Sequence, residues 1–185
     1  MLKIISPGRL VMIGAFLAMS IACYGQAEVS GSLGVVSGIG SHGSFGGSIG
    51  APIADHLLLS GDLSYIPMGG SSVTIGGATT SSSAKAFNFN GNLQYQFKAF
   101  RSSHATVPYA GAGLGFLHSS FSSSSNIPGS TFNITGGSTD MYFNAGGGLR
   151  YYVNERWGFR PEFMVFAGSN TYVRFAGGVF YKFGE

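Results

Sequence analysis

The side chains able to do acid–base or nucleophilic chemistry are few and scattered. The histidines are His42, His56, His104 and His118, and the single cysteine is Cys23. None of the histidines stands at metal-binding spacing from a second His, Asp or Glu, so the spacing predicts neither a metal site nor a cofactor. His118 and Ser120 are two residues apart and would share one face of an extended segment. Asp140 is the carboxylate nearest to them in the chain. Hydrolysis by an activated serine needs those three groups in one hydrogen-bonded line. Ser120 also belongs to SSFSSSS (119–125), a serine-rich stretch whose composition accounts for it without catalysis. The sequence reading is that the protein is not an enzyme.

The charged residues say more. They make up only 9% of the 185 residues, against about 25% in ordinary soluble domains. Asp62, Arg150, Arg160, Glu162, Arg174 and Lys182 all fall at even positions, in segments whose odd positions are apolar or aromatic. A face that collects the charge of such a chain must be enclosed, and enclosed charges require partners. The expectation is a lumen network with Glu162 among Arg150, Arg160 and Arg174, and Asp62 taking a remaining cation.

The elements that hold these residues are strands. AFNFNGNLQYQF (86–97) places Phe87, Phe89, Leu93, Tyr95 and Phe97 on one parity and Asn88, Asn90, Asn92, Gln94 and Gln96 on the other. That is period two, the repeat of a strand. One face is fully apolar and the other polar yet uncharged, which suits rings in lipid and amides in a narrow hydrogen-bonded interior. The pattern recurs in LLLSGDLSY (57–65), MYFNAGGGLRYYV (141–153), WGFRPEFMVFA (157–167) and TYVRFAGGVFYKF (171–183). Glycine dilutes it in 29–38, 44–53 and 106–120, where Ala110, Ala112, Leu114 and Phe116 are expected outward and Tyr109, Gly111, Gly113 and Gly115 inward. Together these predict eight strands. An open sheet of that size would leave bare edges in lipid, so closure is expected. Tyr65, Tyr95, Phe97, Tyr151, Trp157, Tyr181 and Phe183 fall near strand ends and are the expected aromatic girdle.

The N-terminus has the order of a secretory signal peptide: Lys3 and Arg9, an apolar run VMIGAFLAMSIA, then Gly25 and Ala27 at the −3 and −1 positions. Cleavage after Ala27 divides the chain into a leader, 1–27, and a barrel domain, 28–185. Removing Lys3 and Arg9 lowers the net charge from +3 to +1, and no polybasic face for nucleic acid remains. Cys23 is lost with the leader on this reading. Its alternative is lipidation, because Ser20-Ile21-Ala22-Cys23 resembles a bacterial lipobox with Ser20 in place of the usual Leu.

The leader, the repeated dyads, YAGAGLGF (109–116), AGGGLRYYV (145–153), WGFRPEF (157–163) and RFAGGVFYKF (174–183) together resemble the small outer-membrane β-barrel family, the OmpA/OmpX-like eight-stranded proteins of Gram-negative bacteria. The resemblance covers essentially all of 28–185. It implies an antiparallel up-and-down transmembrane barrel in the outer membrane with periplasmic termini. It also implies contact with lipopolysaccharide, and insertion by the assembly machinery that reads a C-terminal aromatic. Here Phe183 is followed by Gly184 and Glu185, a departure from that ending. The implied role is structural, in envelope integrity or in surface interaction through the Ser, Thr and Gly-rich loops 68–85 and 122–139. The alternatives are a narrow ion-conducting pore lined by the even-position charges, and a lipid A-modifying enzyme, since His118 and Ser120 resemble the arrangement in outer-membrane lipid A deacylases.

Overall fold

The structure, a computed structural model, describes residues 27–38, 40–98, 106–127 and 130–184. Residues 1–26, on which most of the expected leader and Cys23 fall, and His104 lie outside the described residues. Eight strands follow one another: β1 (Ala27–Ser37), β2 (His42–Ala54), β3 (Leu57–Ile75), β4 (Ala78–Gln96), β5 (Thr106–Ile127), β6 (Ser130–Tyr152), β7 (Trp157–Ala167) and β8 (Thr171–Phe183). Each pairs antiparallel with the next, and β8 returns to β1 from Ala27↔Phe183 to Ser37↔Val173, closing the ring. Closure satisfies the backbone of the wall from both sides, the condition that lipid imposes on a spanning sheet. One end carries the start of β1, the end of β8, the 55–56 and 153–156 turns and the β4–β5 connection (the terminal end); the other carries the β1–β2, β3–β4, β5–β6 and β7–β8 connections (the hairpin end).

Strand parity decides what faces where. Phe87, Phe89, Leu93 and Tyr95 are exposed on the outside, while Asn88, Asn90, Asn92, Gln94 and Gln96 are buried inside. β5 follows suit, with Leu114 and Phe116 outward and Tyr109 buried. A lipocalin-like soluble barrel would put the rings inside and the amides outside, the reverse of what is seen. Glycine in YAGAGLGF has a packing role at Gly115. A Cβ there would sit 2.5 Å from Asn90 Oδ1 and 2.6 Å from Tyr142 Oη, so β5 must present bare backbone to the amide row of β4.

The two serine-rich stretches are not loops. β3 and β4 run on past the barrel rim to Ile75↔Ala78, turning through Gly76 and Gly77, both at positive φ. Adjacent left-handed residues make the two-residue turn whose twist matches a hairpin. β5 and β6 continue to Ile127↔Ser130. The serine-rich composition hides strands because hydroxyls pair across them: Ser71 with Ser82, Ser72 with Ser81, Thr74 with Thr79 and Ser83 with Ser122 at 2.9–3.1 Å. The result is a four-stranded ledge standing above the half of the rim formed by β3–β6. β2 pairs with β3 only as far as Phe45↔Tyr65, and β7 with β6 only as far as Phe143↔Ala167. The ledge therefore has two free edges among the described residues.

Candidate functional site

The lumen is filled in two layers. Nearer the terminal end is the charge layer. Arg150 donates to Glu28, and both are buried, at 0% and 3% exposure. Arg160 lies 3.9 Å from Glu28, 3.7 Å from Asp62 and 3.9 Å from Glu162. Arg174 donates to Glu162 Oε1 at 2.8 Å, and the Tyr109 hydroxyl donates to Glu162 Oε2 at 2.7 Å. Asp62 also accepts from Asn92 Nδ2 at 2.6 Å and from Ser60 Oγ at 3.3 Å, while Gln94 Nε2 donates to Ser60 Oγ at 3.1 Å. The uncharged amides of β4 thus solvate the ion pairs in place of water.

Glu162 meets Arg160 and Arg174, but Arg150 turns away from it, contrary to the expected grouping. The register Gly148↔Glu162 sets Arg150 one dyad nearer the terminal end, where Glu28 is its carboxylate. Its guanidinium is also held 4.9 Å from the Phe180 ring centroid and 5.9 Å from that of Tyr109. Lys182 faces inward at the terminal mouth. Its ammonium lies 4.6 Å from the Tyr152 ring centroid, and no carboxylate comes within 4.0 Å of it among the described residues. Here the lumen widens into a cavity of about 830 Å³ bordered by Glu28, Lys98, Tyr152, Arg156 and Lys182.

Nearer the hairpin end is an apolar layer of Val36, Ile66, Ala86, Leu117, Met164 and the rings of Tyr142, Phe166 and Tyr172. Phe166 and Tyr172 stack at 4.5 Å, with Tyr142 edge-on to both. The layers are joined by Tyr142, whose hydroxyl sits between Asn88 Oδ1 and Asn90 Oδ1 and offers them its one proton, and by Asn88 Nδ2, which donates to the Tyr172 hydroxyl at 3.1 Å. An eight-stranded bore is just wide enough to be filled in this way.

On the outside, Tyr95–Phe97, Trp157–Phe159 and Tyr181–Phe183 form edge-to-face pairs at the terminal end. Tyr151 is there too, opposite Phe159. Tyr65 stands at the other rim, 5.1 Å from Phe87. The possible nucleophilic grouping is not brought together. His118 Nδ1 is 2.8 Å from Thr139 Oγ1, whereas Asp140 shares the inner face with Leu117 and accepts from Ser169 Oγ at 3.2 Å. His56 Nδ1 meets the Gln96 carbonyl at 3.0 Å, and its ring stacks on Tyr95. No group of three His, Cys, Asp or Glu residues is placed to share a metal ion among the described residues.

Sequence reasoning missed Glu28, taking it for a chain start. The signal was available, since Glu28, Ser30 and Ser32 are the polar parity opposite Val29, Leu33 and Val35.

A closed eight-stranded wall with an apolar, nearly uncharged outer face and a lumen filled by side chains defines a transmembrane β-barrel. Residues 11–183 match the family of the outer membrane protein beta-barrel domain, and the chain belongs to that family. Its fold is similar to the N-terminal β-barrel domain of Pseudomonas aeruginosa OprF (20% identity, TM-score 0.58, covering 86% of this chain and 98% of that one). It is also similar to Neisserial surface protein A (17%, 0.56, 85% and 96%). A third similar structure is Ail, the attachment invasion locus protein of Yersinia pestis, in complex with the heparin analogue sucrose octasulfate (12%, 0.59, 86% and 99%). No curated protein matches the sequence.

Proposed function

We propose that the protein anchors a recognition surface on the cell exterior, the sealed barrel serving as its footing and the β3–β6 ledge as the working part. One observation carries this reading: the polarity of the outward face inverts at the rim. On the barrel wall that face is apolar, with Phe87, Phe89, Leu114 and Phe116 exposed. On the ledge Ser72, Thr74, Thr79, Ser81, Ser122, Ser124 and Asn133 point out, and Val73, Ile75, Phe121, Ile127, Phe132 and Ile134 point toward the barrel axis among Ser71, Thr80, Ser82, Ser123 and Ser125. The inversion marks where the solvent outside changes from acyl chain to water. It also leaves apolar side chains open on the inner face, with Phe132 60%, Ile134 67% and Ile75 75% exposed. Val73 and Ile75 are successive inward positions of β3, Phe132 and Ile134 of β6, and clusters of exposed apolar side chains on an element standing in water mark contact with another molecule. The filled lumen, with its ring layer at the hairpin end, supports a closed barrel rather than a conduit.

On this reading the termini are periplasmic, Tyr181 and Phe183, in alternation with Val179, supply the signal to the assembly machinery, and lipopolysaccharide surrounds the outer rim. Two measurements test it. Ile75→Cys and Ile134→Cys are expected to react with a membrane-impermeant thiol reagent on intact cells. A barrel with 70–83 and 122–137 replaced by short turns is expected to insert and to leave the envelope's resistance to detergent intact. Failure to label overturns the orientation. A detergent-sensitive envelope with the shortened barrel assigns the protein to envelope integrity instead.

A further inference from the structure

The outward face of the eight strands is almost free of charge. Of the described acidic and basic residues, Glu28, Asp62, Asp140, Arg150, Arg160, Glu162, Arg174 and Lys182 sit at inward positions of the ring, and Asp55, Lys98, Glu155 and Arg156 lie in connections at the terminal end. That leaves Lys85, which is exposed and points outward on β4 between Pro67 and Ser120. The one outward-facing histidine on the strands, His118, sits on the adjacent strand one dyad below Ser120, opposite Phe87 on one side and Thr139 on the other. Among the described residues, the only outward cation on a strand and the only outward imidazole on a strand are therefore neighbours.

Their height on the wall is equally specific. Phe87 is level with His118, and below it lie Phe89, Leu114, Phe116 and Met141, all exposed apolar side chains of the lipid-facing band. Above them lie Ser83, Ser122 and Thr135 of the hydroxyl face. That crossing from apolar to polar is the level of lipid headgroups. The imidazole has an unencumbered edge. Nδ1 is committed to Thr139, and the ring leans over Gly137, where a Cβ would lie 3.7 Å from Cε1 and 3.9 Å from Nε2. The Thr139 contact occupies Nδ1 and leaves Nε2 as the ring nitrogen free for an outside partner, to which it donates in the tautomer protonated there and in the imidazolium. Gly137 pairs with Ser120, which pairs with Lys85, so an ammonium, a hydroxyl, a bare glycine and an imidazole line one shelf.

We infer that this shelf binds the phosphate of a lipid in the surrounding leaflet, with Lys85 supplying the charge and His118 Nε2 and Ser120 Oγ the directed hydrogen bonds. Charge complementarity selects an anion, and a position directly on top of the acyl-facing band selects a phosphate carried by a lipid. The inference rests on the membrane orientation proposed above and adds a partner to it.

The test reconstitutes the purified barrel into lipid nanodiscs containing equal amounts of lipid A and of the same lipid A after phosphatase treatment, then scores the lipid retained by native mass spectrometry. Wild type is expected to retain the phosphorylated form in preference. Lys85→Gln is expected to reduce that preference about five-fold, the effect of one cation at an anionic membrane surface. His118→Ala is expected to reduce it further, Lys85→Arg to keep it, and Lys98→Gln at the terminal end to leave it unchanged. Insertion is read separately from heat-modifiable gel migration. A barrel that inserts but retains both lipids equally, or a Lys85→Gln variant that keeps the preference, overturns the site and leaves the membrane reading standing. A barrel that does not insert overturns both.

Discussion

The Glu28–Arg150 pair offers the sharpest test of the filled lumen. Both side chains are buried, and Glu28 is the one carboxylate within 4.0 Å of the Arg150 guanidinium among the described residues. Glu28→Gln therefore strands a cation in a water-poor interior between Phe180 and Tyr109. Removing one partner of a buried pair costs about 3–5 kcal/mol, roughly two to three and a half orders of magnitude in the unfolding equilibrium. Arg150→Met should cost less, because Glu28 retains Arg160 at 3.9 Å. The double variant Glu28→Gln/Arg150→Met removes both charges and should recover most of the loss, as apolar replacements of buried pairs do. The assay is urea titration in lipid vesicles, with the folded fraction scored by gel migration of unheated samples. Two results would refute the reasoning: a Glu28→Gln midpoint indistinguishable from wild type, or a double variant whose loss equals the sum of the single ones.

Tyr142→Phe removes the hydroxyl that meets Asn88 Oδ1 and Asn90 Oδ1; Asn90 keeps only the Asn144 amide at 3.5 Å, and leaving the Asn88 acceptor unpaired should cost about 1–3 kcal/mol, read in the same titration. Phe89→Lys places a charge in the apolar band and should cost about 2–4 kcal/mol, whereas Phe132→Lys on the ledge should change stability by no more than about 0.5 kcal/mol; equal losses would deny that the polarity inversion marks the membrane boundary. Gly115→Val drives a branched side chain into Asn90 and Tyr142 and should prevent formation of the compact gel species, while Gly136→Ala, where nothing lies within 4 Å, should be silent.

Much of the wall was legible in advance because lipid enforces a strict rule. Each outward position of a spanning strand must be apolar, so parity can be read even through glycine, as in β5. Ring closure followed from the cost of unpaired backbone in hydrocarbon. The site was less legible, because which cation meets which carboxylate depends on stagger between strands. Arg150 and Glu162 are twelve residues apart on adjacent strands and look like partners, yet the register offsets them by a dyad and a chain-distant Glu28 takes the role. The ledge was obscured for a different reason. In water there is no obligatory apolar face, and hydroxyl-paired strands have the composition of loops.

The chain by itself determined a closed barrel with greasy outside and polar inside, because period-two alternation in a charge-poor sequence admits one solvent arrangement. Tertiary structure alone decided the ion-pair partners and the direction of Val73 and Ile75. Both are at odd positions, which face outward in the lower part of β3, but the bulge between Pro67 and Gly70 shifts the register so that Gly70 opposes Ser83 and the parity flips. Gly69, at a φ of 90°, sits inside that bulge. A single irregularity in the hydrogen-bond ladder thus turns Val73 and Ile75 inward above the rim, beside Phe121, Ile127, Phe132 and Ile134, which the unbroken parity of β5 and β6 already points that way; no count along the sequence can reveal it, since the bulge exists only in the pairing between two strands.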